Sequence, residues 1–217
     1  MSSSTPHTQR DLKKARTRRA LLDAGLALLE EQSLSSIGLR EITRAVGISP
    51  AAFYRHFRDV ADLGVALVEE SLGSLHAVIR AGLTERSDDG ERIDHLVDAI
   101  ARFVREHPEH IRFVVRERHG GVAAVRTAIG SQLDRFAAEV AEVLARDEVS
   151  RGWSAEDLRM LGETYVDHMV MTASAFLDAA LGEGPSEEAV AHTARRQLRL
   201  ISFGRRHWIS DAATPAP

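Results

Sequence analysis

Residues 39–58, LREITRAVGISPAAFYRHFR, crowd together Arg40, Arg44, Arg55, Arg58, the Tyr54 phenol, the His56 imidazole and the Ser49 hydroxyl. These are hydrogen-bond donors and cations, with no acid–base or nucleophile–base pair among them. The chemistry they suit is recognition of anions. An arginine clamps a phosphate or reads the edge of a guanine, and Tyr and His donate to phosphate oxygens. The bland alternative is the wet face of an amphipathic helix.

Bond-making chemistry finds less support. With no cysteine, the chain has no disulfides, thiolate zinc sites or thiol nucleophiles. Among its ten histidines, His107 and His110 straddle Pro108 with His119 beyond, and His168 follows Tyr165 and Asp167 within one helical turn. None forms an HExxH pattern, and no glycine-rich phosphate loop or nucleophile elbow is present. No enzyme activity, cofactor or metal ligand set is therefore assigned. A regulator that senses a divalent ion held by His and Asp between helices is the alternative chemistry.

The elements that must position the reading residues are helical. Leu39, Ile42 and Val46 give one short helix an inward stripe. Gly47 can adopt the left-handed conformation that ends it. Ser49 can cap the next helix, and Pro50 suits its first position. Ala52, Phe53 and Phe57 can face the core, leaving Ala51, Tyr54, Arg55 and His56 outside. Helix, glycine turn and helix together make a helix-turn-helix, whose second helix enters the major groove of DNA. The small residues Ser49, Pro50 and Ala51 let the helix start approach base edges. The full DNA-contact set is expected to be Ser36, Arg40, Arg44, Ser49, Pro50, Ala51, Tyr54, Arg55, His56 and Arg58.

Helical periodicity continues along the chain, most clearly in Val122, Val125, Ile129, Leu133, Phe136, Val140 and Leu144. Breaks fall at 87–91, 107–110, 119–121, 150–153 and 182–185, with Ser154 and Ser186 as N-caps. The spacing predicts helices at 11–32, 39–46, 50–56, 60–85, 92–106, 109–118, 121–146, 154–181 and 186–208. The expected fold is all-α with three domain-level parts. Residues 1–60 form an N-terminal arm and DNA-binding domain, 61–210 a helical effector-binding and dimerisation domain, and 211–217 a disordered tail. The first ten residues are also small and polar enough to be disordered.

Charge agrees with a polyanion-facing head. The net charge is −4, yet residues 1–60 hold ten Lys/Arg against six Asp/Glu, and the remainder eighteen against twenty-six. No apolar run reaches membrane-span length and the N-terminus lacks a secretory leader, so a cytoplasmic protein with no membrane partner is expected.

Gly47, Ile48, Ser49, Phe53, Tyr54, His56 and Phe57 fit the segment G-[IV]-[ST]-x-x-x-[FL]-Y-x-H-F. On these residues the first sixty positions resemble the TetR family of transcriptional regulators. Many relatives place a Lys at the start of the fourth helix to contact a phosphate; here Val60 stands there, with Arg58 as a nearby substitute. The segments FYRHFRDVADLG, FVREHPEHIRFVVRERHGG, QLDRFAAEVAEVL and LRLISFGRRHW further resemble the unsaturated-fatty-acid repressors of the FabR and DesT type. That resemblance implies control of fatty-acid biosynthesis or desaturation genes, with long-chain acyl-CoA or acyl-carrier-protein thioesters as effectors. Another hydrophobic small molecule, of the drug-efflux type, is the alternative effector.

A long acyl chain needs an apolar tunnel between helices and a polar mouth. Phe103, Phe113, Phe136, Met169 and Phe176 are the expected lining, against the alternative of plain core packing. Arg112, Arg116 and Arg118 beside the glycine pair could receive a phosphorylated head group; a solvated face pairing with Glu117 is the equal alternative. In 158–181, Leu161, Tyr165, Met169, Thr172 and Phe176 make one apolar stripe and Val166, Val170, Ala173 and Leu177 another. In 186–208 the stripe is Val190, Ala194, Leu198, Ile201 and Trp208. One face is expected to bury internally and the other to meet a second subunit in a four-helix bundle. A homodimer sets two reading helices one DNA turn apart, roughly 34 Å, on a palindromic operator.

Overall fold

The computed structural model describes residues 9–84 and 89–208. The expected tail at 211–217 and the residues before Gln9 lie outside the described residues. Among those described there are nine α-helices, one 3-10 turn and no strand. They are α1 (Gln9–Leu28), α2 (Leu39–Val46), α3 (Pro50–Phe53), α4 (Val60–Thr84) and α5 (Asp89–Glu106). α6 (Pro108–Glu117), α7 (Ala123–Ala145), the 3-10 turn Glu148–Ser150, α8 (Ala155–Leu181) and α9 (Glu187–Arg206) follow. No helix among the described residues is long and apolar enough to cross a membrane.

Local chemistry sets the helix ends. Gly47 has φ 73° and closes α2, its N–H and that of Ile48 returning to the carbonyls of Arg44 and Thr43. The Ser49, Ser154 and Ser186 hydroxyls accept from the N–H groups of Ala52, Asp157 and Ala189, starting α3, α8 and α9. At α4, Asp59 Oδ1 accepts from the Asp62 N–H at 2.7 Å, and Asp62 Oδ2 accepts from the Arg58 N–H at 2.9 Å.

Two helices end three or more residues before their periodicity predicts. α3 stops at Phe53 instead of residue 56, because the N–H groups of Arg55 and His56 bond three residues back, to Ala52 and Phe53. This tighter turn carries the segment directly toward α4. α1 ends at Leu28 instead of residue 32, and the turn after it is held by a distant arginine described below.

Two apolar cores meet along α4. The N-terminal core joins Leu21, Leu22 and Leu26 of α1 with Ile42, Phe53, Phe57, Leu63, Leu67 and Val68. It also takes in Phe113 and Val114 of α6 and Val125 and Ile129 of α7, so the helices behind residue 60 help to build the DNA-binding end. The C-terminal core begins at Leu75 and Ile79 of α4 and continues through α5, α7, α8 and α9. α7 and α8 approach closely at Gly162, where a Cβ would fall 2.3 Å from the Ala137 carbonyl oxygen.

The two apolar stripes expected on α8 are both covered within the protomer: Leu161, Met169, Thr172 and Phe176 are buried, and so are Val166, Ala173 and Leu177. α9 likewise buries Val190, Ala194 and Leu198. The large apolar residues left outside in this region are Met160, Met171 and Leu181 on α8, Leu200 and Phe203 on α9, and Trp208 just beyond it, each more than 40% exposed. Trp208 belongs to the stripe read for 186–208, whereas on α8 the exposed residues belong to neither stripe read in the sequence. Each stripe already has an intrachain neighbour, α5 and α7 on one side and α9 on the other.

Candidate nucleic-acid interface

α2 and α3 rest on α1 and α4 through Ile42, Phe53 and Phe57, which are 0%, 0% and 3% exposed. Phe53 and Phe57 stack 5.7 Å apart, and Phe53 meets Tyr54 edge-on at 5.8 Å. Burying these two rings fixes the roll of the short helix, so its other residues face outward. Ser49, Pro50, Ala51, Tyr54 and Arg55 are all exposed, as are Arg40 and Arg44 on α2 and Ser36 before it. Tyr54, 58% exposed, stands out from the segment as a free phenol.

Arg58 is placed differently from its neighbours. Its guanidinium donates to Asp62 Oδ1 from Nη2 at 2.9 Å and from Nε at 3.3 Å. This pairing, then the Arg58 backbone N–H, holds the Asp62 carboxyl below its ordinary range. The side chain expected to replace the missing lysine of α4 is therefore tied to the start of that helix before any phosphate arrives.

His56 is half-buried, and its Nδ1 is enclosed without a hydrogen-bond partner. Burial first, then Lys14, Arg18 and Arg55, push its pKa below 6.5. Those causes expose two residues that sequence reasoning missed. Lys14 and Arg18, one turn apart on α1, form an exposed basic row beside the reading segment. Arg18 also lies over the Phe57 ring at 4.5 Å and donates to the His56 carbonyl at 3.4 Å. Their i, i+4 spacing was visible in the sequence; their approach to His56, some forty residues on, was not.

The expected effector residues divide. Phe103, Phe136, Met169 and Phe176 share the C-terminal core, while Phe113 lies in the N-terminal one. Arg116 donates to the carbonyls of Leu29 and Gln32 at 2.8 Å each and of Glu30 at 3.3 Å. It closes the C-terminal end of α1, where free carbonyls attract a cation. Arg118 pairs with Asp167 at 2.8 Å. Arg116 and Arg118 thus have protein partners, and Arg118 also borders an open cleft with Ile129, Leu133 and Val166.

An apolar cleft does exist, with other arginines at its edge. Ile93, Leu96, Val140, Leu144, Met169 and Leu198 line a small cleft of about 60 Å3 between α5, α7, α8 and α9, partly open to solvent. Arg92, Arg205 and Asp147 border it. Arg205 is 4% exposed and places Nη2 2.7 Å from Asp147, while its Nε donates to Ser150 Oγ at 3.1 Å. A second, smaller cleft of about 20 Å3 shares Met169 and is walled by Leu72, Leu75, His76 and Ile79 of α4 and by Phe136 of α7.

The sequence profile of the bacterial regulatory proteins, tetR family, matches residues 21–67, from the core of α1 through the reading segment into α4. That match spans the helix-turn-helix and the helices that carry it, from α1 into the first half of α4. Solved structures share the fold over most of the chain. The fatty acid degradation regulator FadR from Bacillus halodurans is 15% identical with a TM-score of 0.67, covering 91% of this chain and 96% of its own. A TetR-family transcriptional regulator from Streptomyces coelicolor is 19% identical with a TM-score of 0.67, covering 88% and 97%. The TetR-family regulator PfmR from Thermus thermophilus is 22% identical with a TM-score of 0.60, covering 83% and 96%. These structures and this chain share one helical architecture over most of their length.

Proposed function

We propose that this chain is a one-component, cytoplasmic transcriptional repressor that binds a palindromic operator as a homodimer and answers to a long-chain acyl thioester. The observation that carries the reading is the outward-held row of Ser49, Pro50, Ala51 and Tyr54 over buried Phe53 and Phe57. In this reading Arg40 and Arg44 contact base edges or phosphates, and Tyr54, His56, Lys14 and Arg18 hold the phosphate backbone. Met160, Met171, Leu200 and Phe203 form the face that a second copy covers.

The acyl-thioester part of the reading is supported by the apolar cleft between α5, α7, α8 and α9, and by the resemblance of the quoted segments to unsaturated-fatty-acid repressors. The name of the Bacillus halodurans relative points to the same class of compound. The two clefts are too small for a long acyl chain as they stand, so a chain entering between α5 and α9 and passing Met169 toward α4 would have to push these helices apart. α4 begins just after the reading segment, so ligand occupancy there changes which spacing of the two heads is favoured. A ligand shifts that balance only by its differential affinity for the two arrangements.

The test is selection of duplexes from a random pool by the purified chain, followed by binding to the selected operator with and without saturated and unsaturated long-chain acyl-CoA. A selected palindrome whose affinity changes with acyl-CoA supports both parts. A palindrome indifferent to acyl-CoA removes the effector, and no selection removes the regulator.

A further inference from the structure

We propose that His107, Glu109 and His110 form a binding site for one divalent transition-metal ion of the zinc class at the corner between α5 and α6. The proposal is independent of the acyl reading and rests on side-chain placement at that corner.

The sequence EHPEH builds the convergence. Pro108 cannot continue the hydrogen-bonding of α5 and begins α6, while His107 takes the N-cap position with φ −141° and ψ 53°. Glu109 and His110 then fall in the first turn, on the side to which His107 is swung back. One donor atom from each of the three residues lies within 4.8 Å of the others. His107 Nδ1 is 3.8 Å from Glu109 Oε1, and His110 Nε2 is 3.7 Å from the same oxygen. Both separations exceed a hydrogen bond. Zinc bonds of about 2.0–2.2 Å would set ligand atoms roughly 3.3–3.5 Å apart at a tetrahedral centre. The exposed His107 and half-exposed Glu109 can close that difference by small side-chain rotations.

His110 supplies the rigid ligand. It is buried, and its Nδ1 lies 2.7 Å from Ser71 Oγ of α4, itself 1% exposed. With Nδ1–H given to the serine, the lone pair of Nε2 is directed toward Glu109. A metal-binding imidazole is oriented in this way, its second nitrogen fixed by a hydrogen bond from behind. Two imidazoles and one carboxylate suit zinc, copper or nickel and disfavour magnesium and calcium, which take oxygen ligands. The exposed side of His107 leaves a fourth position for water. The other histidine group read in the sequence does not converge: Asp167 turns to Arg118, and His168 Nε2 lies 3.5 Å from Thr172 Oγ1. Because Ser71 belongs to α4 and the ligands to α6 and its cap, an ion here ties together two helices that reach the DNA-binding end.

The experiment is titration of chelator-treated full-length chain with Co2+, read by its visible absorption, followed by displacement with Zn2+. The expected result is one Co2+ per chain with a spectrum of nitrogen and oxygen ligation, abolished by stoichiometric Zn2+. His107→Ala, which removes a ring packed on Phe103, and Glu109→Gln, which keeps its shape, should each weaken binding at least tenfold, with unchanged circular dichroism in Glu109→Gln. Absence of stoichiometric Co2+ binding overturns the proposal. So does binding that survives both substitutions together, which would place the ion among other histidines.

Discussion

Glu117, at the last turn of α6 and 1% exposed, accepts a hydrogen bond from the Leu34 backbone N–H across 2.9 Å, joining α6 to the α1–α2 connection. Next to it, Arg116 takes up the carbonyls at the end of α1. Two consecutive side chains of opposite charge thus fasten one helix to both donors and acceptors of a single turn. Gly120 follows from the same arrangement, since a Cβ there would fall 2.2 Å from Glu117 Oε2.

Removing the acceptor leaves the Leu34 N–H buried and unpaired. Glu117→Ala should lower unfolding stability by about 1–3 kcal/mol, and Glu117→Gln, which keeps an acceptor oxygen, by less. Urea denaturation of the two variants measures the difference. Equal losses would mean that the hydrogen bond is not what Glu117 contributes.

Arg116→Ala should lower stability by roughly 0.5–2 kcal/mol by freeing the end of α1. Acyl-CoA binding, measured by calorimetry on the same variant, should be retained. Loss of acyl-CoA binding with stability intact would return Arg116 to the head-group role its sequence context suggested.

Much of the reading head was legible because its signals are local. Gly47, Ser49 and Pro50 dictate a turn and a restart within four residues, and Phe53 and Phe57 declare the inward face. The fastening by Arg116 and Glu117 was not legible, because their partners lie more than eighty residues away and an arginine beside glycines looks the same whether it caps a helix or waits for a phosphate. The outer face of α8 was misread for a related reason. Periodicity finds apolar stripes, but α8 has neighbours on two sides, so most of both stripes is covered and the exposed large apolar residues are Met160, Met171 and Leu181.

Gly162→Ala tests the contact of α7 with α8. The atom in the way is backbone oxygen, which cannot rotate aside, so overpacking should cost about 1–3 kcal/mol. A shift of the thermal midpoint shows the loss. An unchanged midpoint would mean that the two helices separate without cost.

His56 gives DNA binding a pH dependence with a defined sign. In the free protein its pKa lies below 6.5, chiefly through burial. A neighbouring phosphate favours the imidazolium, so the complex has the higher pKa and binding takes up a proton. Operator affinity should therefore rise as pH falls through the region around and below 6.5. Stability of the free protein moves the opposite way: the unfolded chain binds the proton more readily, so this contribution is lost as pH drops below 6.5. Anisotropy titrations across this range should lose their pH dependence in His56→Ala; persistence of the slope would assign it to another group.

Lys14 and Arg18 should act on the phosphate backbone alone. Replacing each with Ala should weaken binding to all duplexes evenly and reduce the salt slope by about one per side chain. A loss confined to the selected operator would make one of them a base reader.

The account depends most on the exposed start of α3 lying in a duplex groove, and Ala51→Glu is the most direct probe. Ala51 is exposed and packs against nothing in the core, so a carboxylate there leaves the fold alone and meets phosphates only in the complex. Binding to the selected operator should fall by roughly a hundredfold or more, with an unchanged thermal midpoint. Wild-type affinity in Ala51→Glu would contradict the account.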